Sequence, residues 1–165
     1  MATTRKILTK AQVDALLGEY IATQTAAAKN AQEAYNREAD AAYDKEQQAL
    51  DSEAAKAKQT AAKAYDTQVV KSLIGKRRLA EQLANFGLSR SGAAAAGNQA
   101  VARSRQLAER DIAATRTAAL DALRQKSETL KKTTEAKKQK NTASSQQSLN
   151  NRIAEKRLSL SKLLY

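Results

Sequence analysis

The apolar positions of the chain recur on a single helical step. Val13, Leu17, Tyr20, Ala28, Ala31, Tyr35, Ala39, Ala42, Leu50, Ala54, Ala57, Ala61, Tyr65, Val69 and Leu73 form one stripe. Its mean step is ~3.7 residues, closer to an eleven-residue than to a seven-residue repeat, which predicts straight or slightly right-handed packing rather than a leucine zipper. The start of the stripe is marked by Thr9 and Gln12 at the spacing of a capping box, and by Leu8 and Val13 at that of a hydrophobic staple. Asp14 is assigned to the first turn, where the helix dipole favours an anion. Residues 1–87 therefore read as one long N-terminal helix, weakened by about 1 kcal/mol at each of Gly18 and Gly75, the latter a kink or close-contact point.

Three of the five glycines and the only phenylalanine fall together in LANFGLSRSGAAAAGNQA. Phe86, Gly87 and Leu88 read as a helix C-terminus with Gly87 in the left-handed conformation and Leu88 folding back, and Gly92 opens a thin run of small residues. Residues 88–99 are expected to form a turn, with Ser89 or Ser91 capping the helix that follows. That second, basic helix occupies 100–132 and continues through Leu107, Ile112, Leu120, Leu123 and Leu130. Between 133 and 148 no apolar side chain exceeds alanine, so this segment reads as a polar, basic linker. Residues 149–165 recover apolar spacing at Leu149, Ile153, Leu160, Leu163 and Leu164, as expected of a short amphipathic docking helix.

Composition explains why such helices need company. Leu, Ile, Val and Phe number 27 of 165 residues, whereas 36 are alanine, whose methyl group buries little area. Alanine with Gln, Lys, Arg and Glu, and with no proline, makes helix cheap. A chain that forms helices readily but lacks bulky apolar groups must find packing surface elsewhere. The expected fold is all-α: elongated long helices, as a helical hairpin or a coiled-coil-like bundle, completed by oligomerisation. Val13, Leu17, Tyr20, Tyr35, Tyr43, Leu50, Tyr65, Val69 and Leu73 are assigned to packing between copies.

Charge divides the sequence. Residues 1–66 carry 9 basic and 10 acidic groups, and residues 67–165 carry 20 and 7, so the second half owns the whole excess of +12. Lys76, Arg77, Arg78, Arg90, Arg103, Arg105, Arg110, Lys131, Lys132, Lys137, Lys138 and Lys140 are the candidates for contact with nucleic acid or with an acidic protein surface. No recognised base-reading module accompanies them.

The chemistry of catalysis is poorly represented. With no cysteine and no histidine, thiolate, imidazole and zinc-finger chemistry are excluded. Gly87 and Gly92 have the outer spacing of a phosphate loop, but Ala93 and Ala94 stand where that loop needs a lysine and a hydroxyl. Glu38, Asp40, Asp44 and Glu46 spread around a helix and read as a solvated face. Glu33 with Arg37, Asp121 with Arg124, and Glu128 with Lys131 and Lys132 are expected as helical ion pairs. No enzyme activity, cofactor, metal site or small-molecule substrate is expected. No run approaches the ~18 apolar residues of a membrane span, and the basic start leads into a polar helix pattern rather than an apolar signal core.

Ala84-Asn85-Phe86-Gly87-Leu88-Ser89-Arg90-Ser91-Gly92, followed by Gln99 and an arginine-rich helix, resembles the AN-x-GL-x-x-SG turn of long helical structural proteins of tailed bacteriophages. The resemblance is strict over those residues and loose over the flanking helices. It implies a particle protein and transfers no catalytic or ligand residue. The resulting expectation is a non-enzymatic virion component, present in several copies near the portal, neck or tail, assembled in the host cytoplasm and contacting other virion proteins and copies of itself. The alternative is a basic nucleic-acid-binding protein, internal to the virion or ejected, that contacts packaged DNA.

Overall fold

The structure, a computed structural model, describes residues 8–163. Two α-helices account for almost all of it: α1, Lys10–Asn85 (76 residues), and α2, Gly92–Ser161 (70 residues). They pack as a hairpin, and no strand occurs among the described residues. The all-α hairpin matches the expected fold class.

The start of α1 is built as the sequence implies. The Thr9 amide donates to Gln12 Oε1 (3.0 Å) and the Gln12 amide to Thr9 Oγ1 (3.4 Å), the reciprocal pair of a capping box. Val13 is buried behind it. Asp14 lies just past the first turn, which contains no acidic residue.

The other end of α1 closes through Gly87, whose φ is +70°. The Leu88 amide donates to the Leu83 carbonyl (2.8 Å) and the Gly87 amide to that of Ala84 (3.0 Å). These are the two bonds of a Schellman motif, and they require the left-handed conformation that glycine alone adopts without cost. The connection occupies only residues 86–91, not 88–99, because Ala93 to Ala96 already belong to α2. Ser91 immediately precedes α2, yet its hydroxyl donates back to the Leu88 carbonyl (2.7 Å) and does not cap the new helix.

Two expected boundaries are corrected. The linker at 133–148 and the separate docking helix at 149–165 are both parts of α2, which runs unbroken to Ser161. Leu164 lies outside the described residues. Polar contacts with α1 replace the apolar ones that the sequence lacks here.

The chain divides into two compact units. Unit 1 is Met1–Lys45 with Thr129–Tyr165, and unit 2 is Glu46–Glu128. In unit 1 the Leu8 amide donates to the Leu163 carbonyl (3.2 Å), and the Lys156 ammonium lies 5.4 Å from the centre of the Tyr20 ring. Further along, Arg152 donates to Gln24 Oε1 (3.4 Å), Asn141 to Gln32 Oε1 (3.2 Å), and Lys138 pairs with Asp40. Gln32 in turn donates to Asn36 Oδ1 (3.0 Å), so the former linker is held by a connected polar seam.

In unit 2 Ser127 donates to Gln47 Oε1 (2.7 Å), and the Tyr65 hydroxyl donates to the Glu109 carbonyl (3.1 Å). A Cβ placed on Gly75 would lie 3.9 Å from Val101 Cγ1, and one on Gly97 would lie 2.7 Å from Leu79 Cδ2. Gly75 is therefore an ordinary contact point, while Gly97 lets the two backbones approach around Leu79. Within each unit, a step up α1 is matched by an equal step down α2, so the antiparallel register does not slip.

Burial repeats every eleven residues on both helices. On α1, Leu17, Ala28, Ala39, Leu50, Ala61, Ser72 and Leu83 are all at least half-buried. On α2 the series is Val101, Ile112, Leu123, Thr134, Ser145 and Lys156. The expected period is thus present, and α2 continues it with polar side chains.

Candidate interaction surface

The residues assigned to packing between copies mostly face the other arm of their own hairpin. Val13 is buried and Leu17, Tyr20, Tyr35, Tyr43, Leu50, Tyr65 and Val69 are half-buried within a single chain. Leu73 alone of that set is exposed. The docking residues are corrected in the same way: Leu149 and Leu160 are buried and Ile153 half-buried in unit 1, while Leu163 remains exposed.

What the hairpin leaves uncovered is more informative. Among the described residues no side chain falls below 2% exposure, and Val13, Ala61, Leu149 and Leu160 are the whole of the buried apolar core. Leu16, Val70, Leu73, Ile74, Phe86, Leu88, Leu107 and Leu158 all remain exposed. Val70 and Ile74 fall on the side of α1 turned away from the inward-facing Val69 and Ser72, and Leu73 lies at the margin of the inner face. Leu107 is exposed on α2.

Alanine leaves open grooves along the seam between the arms. Unit 1 has one of about 430 Å³ beside Gln24, Ala28, Ser145 and Leu149. Unit 2 has one of about 410 Å³ lined by Ala57, Ala61, Ala64, Ile112 and Ala119. Neither gathers the convergent titratable groups that an active site requires.

Glu38, Asp40, Asp44 and Glu46 are exposed, and Asp40 is engaged by Lys138. No group of three or more His, Cys, Asp or Glu side chains that could hold a metal occurs among the described residues. The helical ion pairs differ from expectation. Glu33 lies 3.9 Å from Lys29 while Arg37 donates to the Glu33 carbonyl, and Arg124 pairs with Glu128 at 3.4 Å.

The basic candidates divide by engagement. Arg77 pairs with Glu81 (3.0 Å), Arg105 with Glu109 (2.6 Å), and Lys138 with Asp40. Lys76, Arg78, Arg90, Arg103, Arg110, Lys131, Lys132, Lys137 and Lys140 are exposed and form no ion pair among the described residues. Unit 2 holds Lys76, Arg77, Arg78, Arg90, Arg103, Arg105 and Arg110, and unit 1 the five lysines from 131 to 140.

Charge is also arranged about the turn. Between Gln82 and Ala102 the only charged residue is Arg90; Glu81, paired with Arg77, and then Arg78 and Lys76 lie on one side, and Arg103 and Arg105 on the other. The spacing of charges rather than of apolar groups carries that signal. No helix among the described residues is long and apolar enough to cross a membrane. Comparison with known protein families, curated proteins and solved structures finds no match for this chain.

Proposed function

We propose that the protein is a non-enzymatic helical building block, several copies of which pack side by side in a larger particle. The observation that carries this reading is surface: the chain exposes 12836 Å², whereas a compact monomer of 17.9 kDa exposes roughly 8,000 Å². The hairpin joins its own arms but leaves Val70, Leu73, Ile74 and Leu107 in water, and its alanine-lined grooves are open to side chains from a neighbouring helix. The turn sequence resembles that of tailed-phage structural proteins, which supports a phage virion as the particle, at the portal, neck or tail.

Light scattering combined with circular dichroism across a dilution series tests the assembly. Masses above the monomer, with helicity that falls on dilution, are the expected result. A cooperative monomeric melt at nanomolar concentration overturns it. Mass spectrometry of purified tailed-phage particles carrying this gene tests the location, with several copies per particle expected.

The exposed, unpaired cations favour a second reading, contact with packaged DNA. It requires duplex binding that weakens steeply with added salt.

A further inference from the structure

We propose that the hairpin turn is a docking tip for an anionic lipid bilayer, with Phe86 and Leu88 entering the interfacial layer and a collar of cations resting on the headgroups. This goes beyond the assembly reading and does not depend on it.

The argument begins with the order of charges along the two arms. From Gln82 to Ala102 the chain carries one charge, Arg90, and otherwise consists of small, amide, hydroxyl and apolar residues. Lys76 and Arg78 precede this cap on α1 and Arg103 follows it on α2, while Arg77 and Arg105 beside them are paired with Glu81 and Glu109. The contacts of Gly75 with Val101 and of Leu79 with Gly97 hold these two groups at neighbouring levels of the hairpin, so they surround it as a collar. At 1.5 Å per residue, the collar stands roughly 12 to 20 Å behind the apex.

That spacing suits a bilayer surface. An interfacial segment buries its apolar groups about 5–10 Å deep. With the tip at that depth, long arginine and lysine side chains of the collar reach the phosphate plane, and Arg90 snorkels back to it. Phe86 is 78% exposed and Leu88 44% exposed, at the apex itself. Phe86 fills no place in the fold that insertion would empty.

The backbone of the turn is also prepared for a medium poor in water. The amides of Phe86, Gly87, Leu88 and Ser91 donate to Gln82, Ala84, Leu83 and Leu88 carbonyls, and the Ser91 hydroxyl donates to Leu88 as well. These bonds satisfy the amides at Phe86 and Leu88, the two residues that enter deepest.

Charge complementarity selects the occupant. A second copy would bring the same cations against these, and like charges repel. A DNA duplex would satisfy the collar but gives no use to an uncharged cap that projects beyond it with a phenylalanine at its end. An anionic bilayer uses both parts.

The test is made on the full chain, which has no tryptophan, so Phe86→Trp supplies a single reporter at an exposed position. Vesicles of phosphatidylglycerol mixed with phosphatidylcholine should bind the protein and shift tryptophan emission to the blue, and vesicles of phosphatidylcholine alone should do neither. Phe86→Ser should weaken binding roughly tenfold. Arg78→Gln with Arg103→Gln, both exposed, should weaken it roughly thirtyfold while leaving helicity unchanged. Binding with unshifted emission, or binding insensitive to Phe86→Ser, overturns the proposal. Failure to bind anionic vesicles at low salt, with or without binding to a DNA duplex, also overturns it.

Discussion

The amide of Leu88 reaches back to the carbonyl of Leu83 at 2.8 Å, and this bond reverses the chain. It exists because Gly87 between them holds φ at +70°. Gly87→Ala should therefore lower stability by about 1 kcal/mol, although open space surrounds a Cβ there. Thermal melts at fixed protein concentration measure the loss.

Gly18 provides the matching control. It is helical and a Cβ would meet nothing within 4 Å. Gly18→Ala should raise stability by up to about 1 kcal/mol, and a loss in the same melts would contradict the straight helical path of α1 at this point.

Ser72 is 6% exposed and its hydroxyl has no hydrogen-bond partner. It occupies an eleven-residue position, between Ala61 and Leu83, where an apolar side chain is otherwise used. Ser72→Ala should stabilise by about 1 kcal/mol, because an unsatisfied buried oxygen is removed at almost no cost in volume. Urea unfolding with an unchanged m-value is the expected signature.

Tyr65 tests the pairing of the arms in unit 2. Its hydroxyl spans from α1 to the Glu109 carbonyl of α2 at 3.1 Å. Tyr65→Phe should cost about 1 kcal/mol and leave helicity in the folded state unchanged.

The local devices were legible in the sequence because each is written in adjacent residues. The Thr9 and Gln12 cap, the Gly87 reversal and the eleven-residue period all appear where the residue types demand them. Two things were hidden. Thr134, Lys138, Asn141 and Ser145 continue the inward stripe of α2, but they are polar, so a count of apolar positions shows only a gap. Their partners, such as Asp40 and Gln32, lie 98 and 109 residues away, and no local rule announces them. The same distance explains why the inner face of α1 was assigned to other copies: periodicity identifies a buried face but not which helix covers it.

Ser145 lines the unit 1 groove beside Gln24 and a further one of about 330 Å³ beside Gln32. Ser145→Leu should fill part of that space and stabilise the hairpin by about 1 kcal/mol, since the position is half-buried. If neighbouring copies use these grooves, the same variant should reduce the mass seen by light scattering at a given concentration.

Because within each unit both arms obey one period of eleven and stay in step, the seam there is indifferent to how many periods it contains. Excising one such module from α1 together with its opposite number in α2 returns every remaining side chain to a familiar neighbour, three helical turns closer to the bend. Taking it from one arm alone leaves the faces matched but strands a module's worth of the longer arm without a companion. The length of a unit is therefore a quantity that can change in whole steps without redesigning its interior.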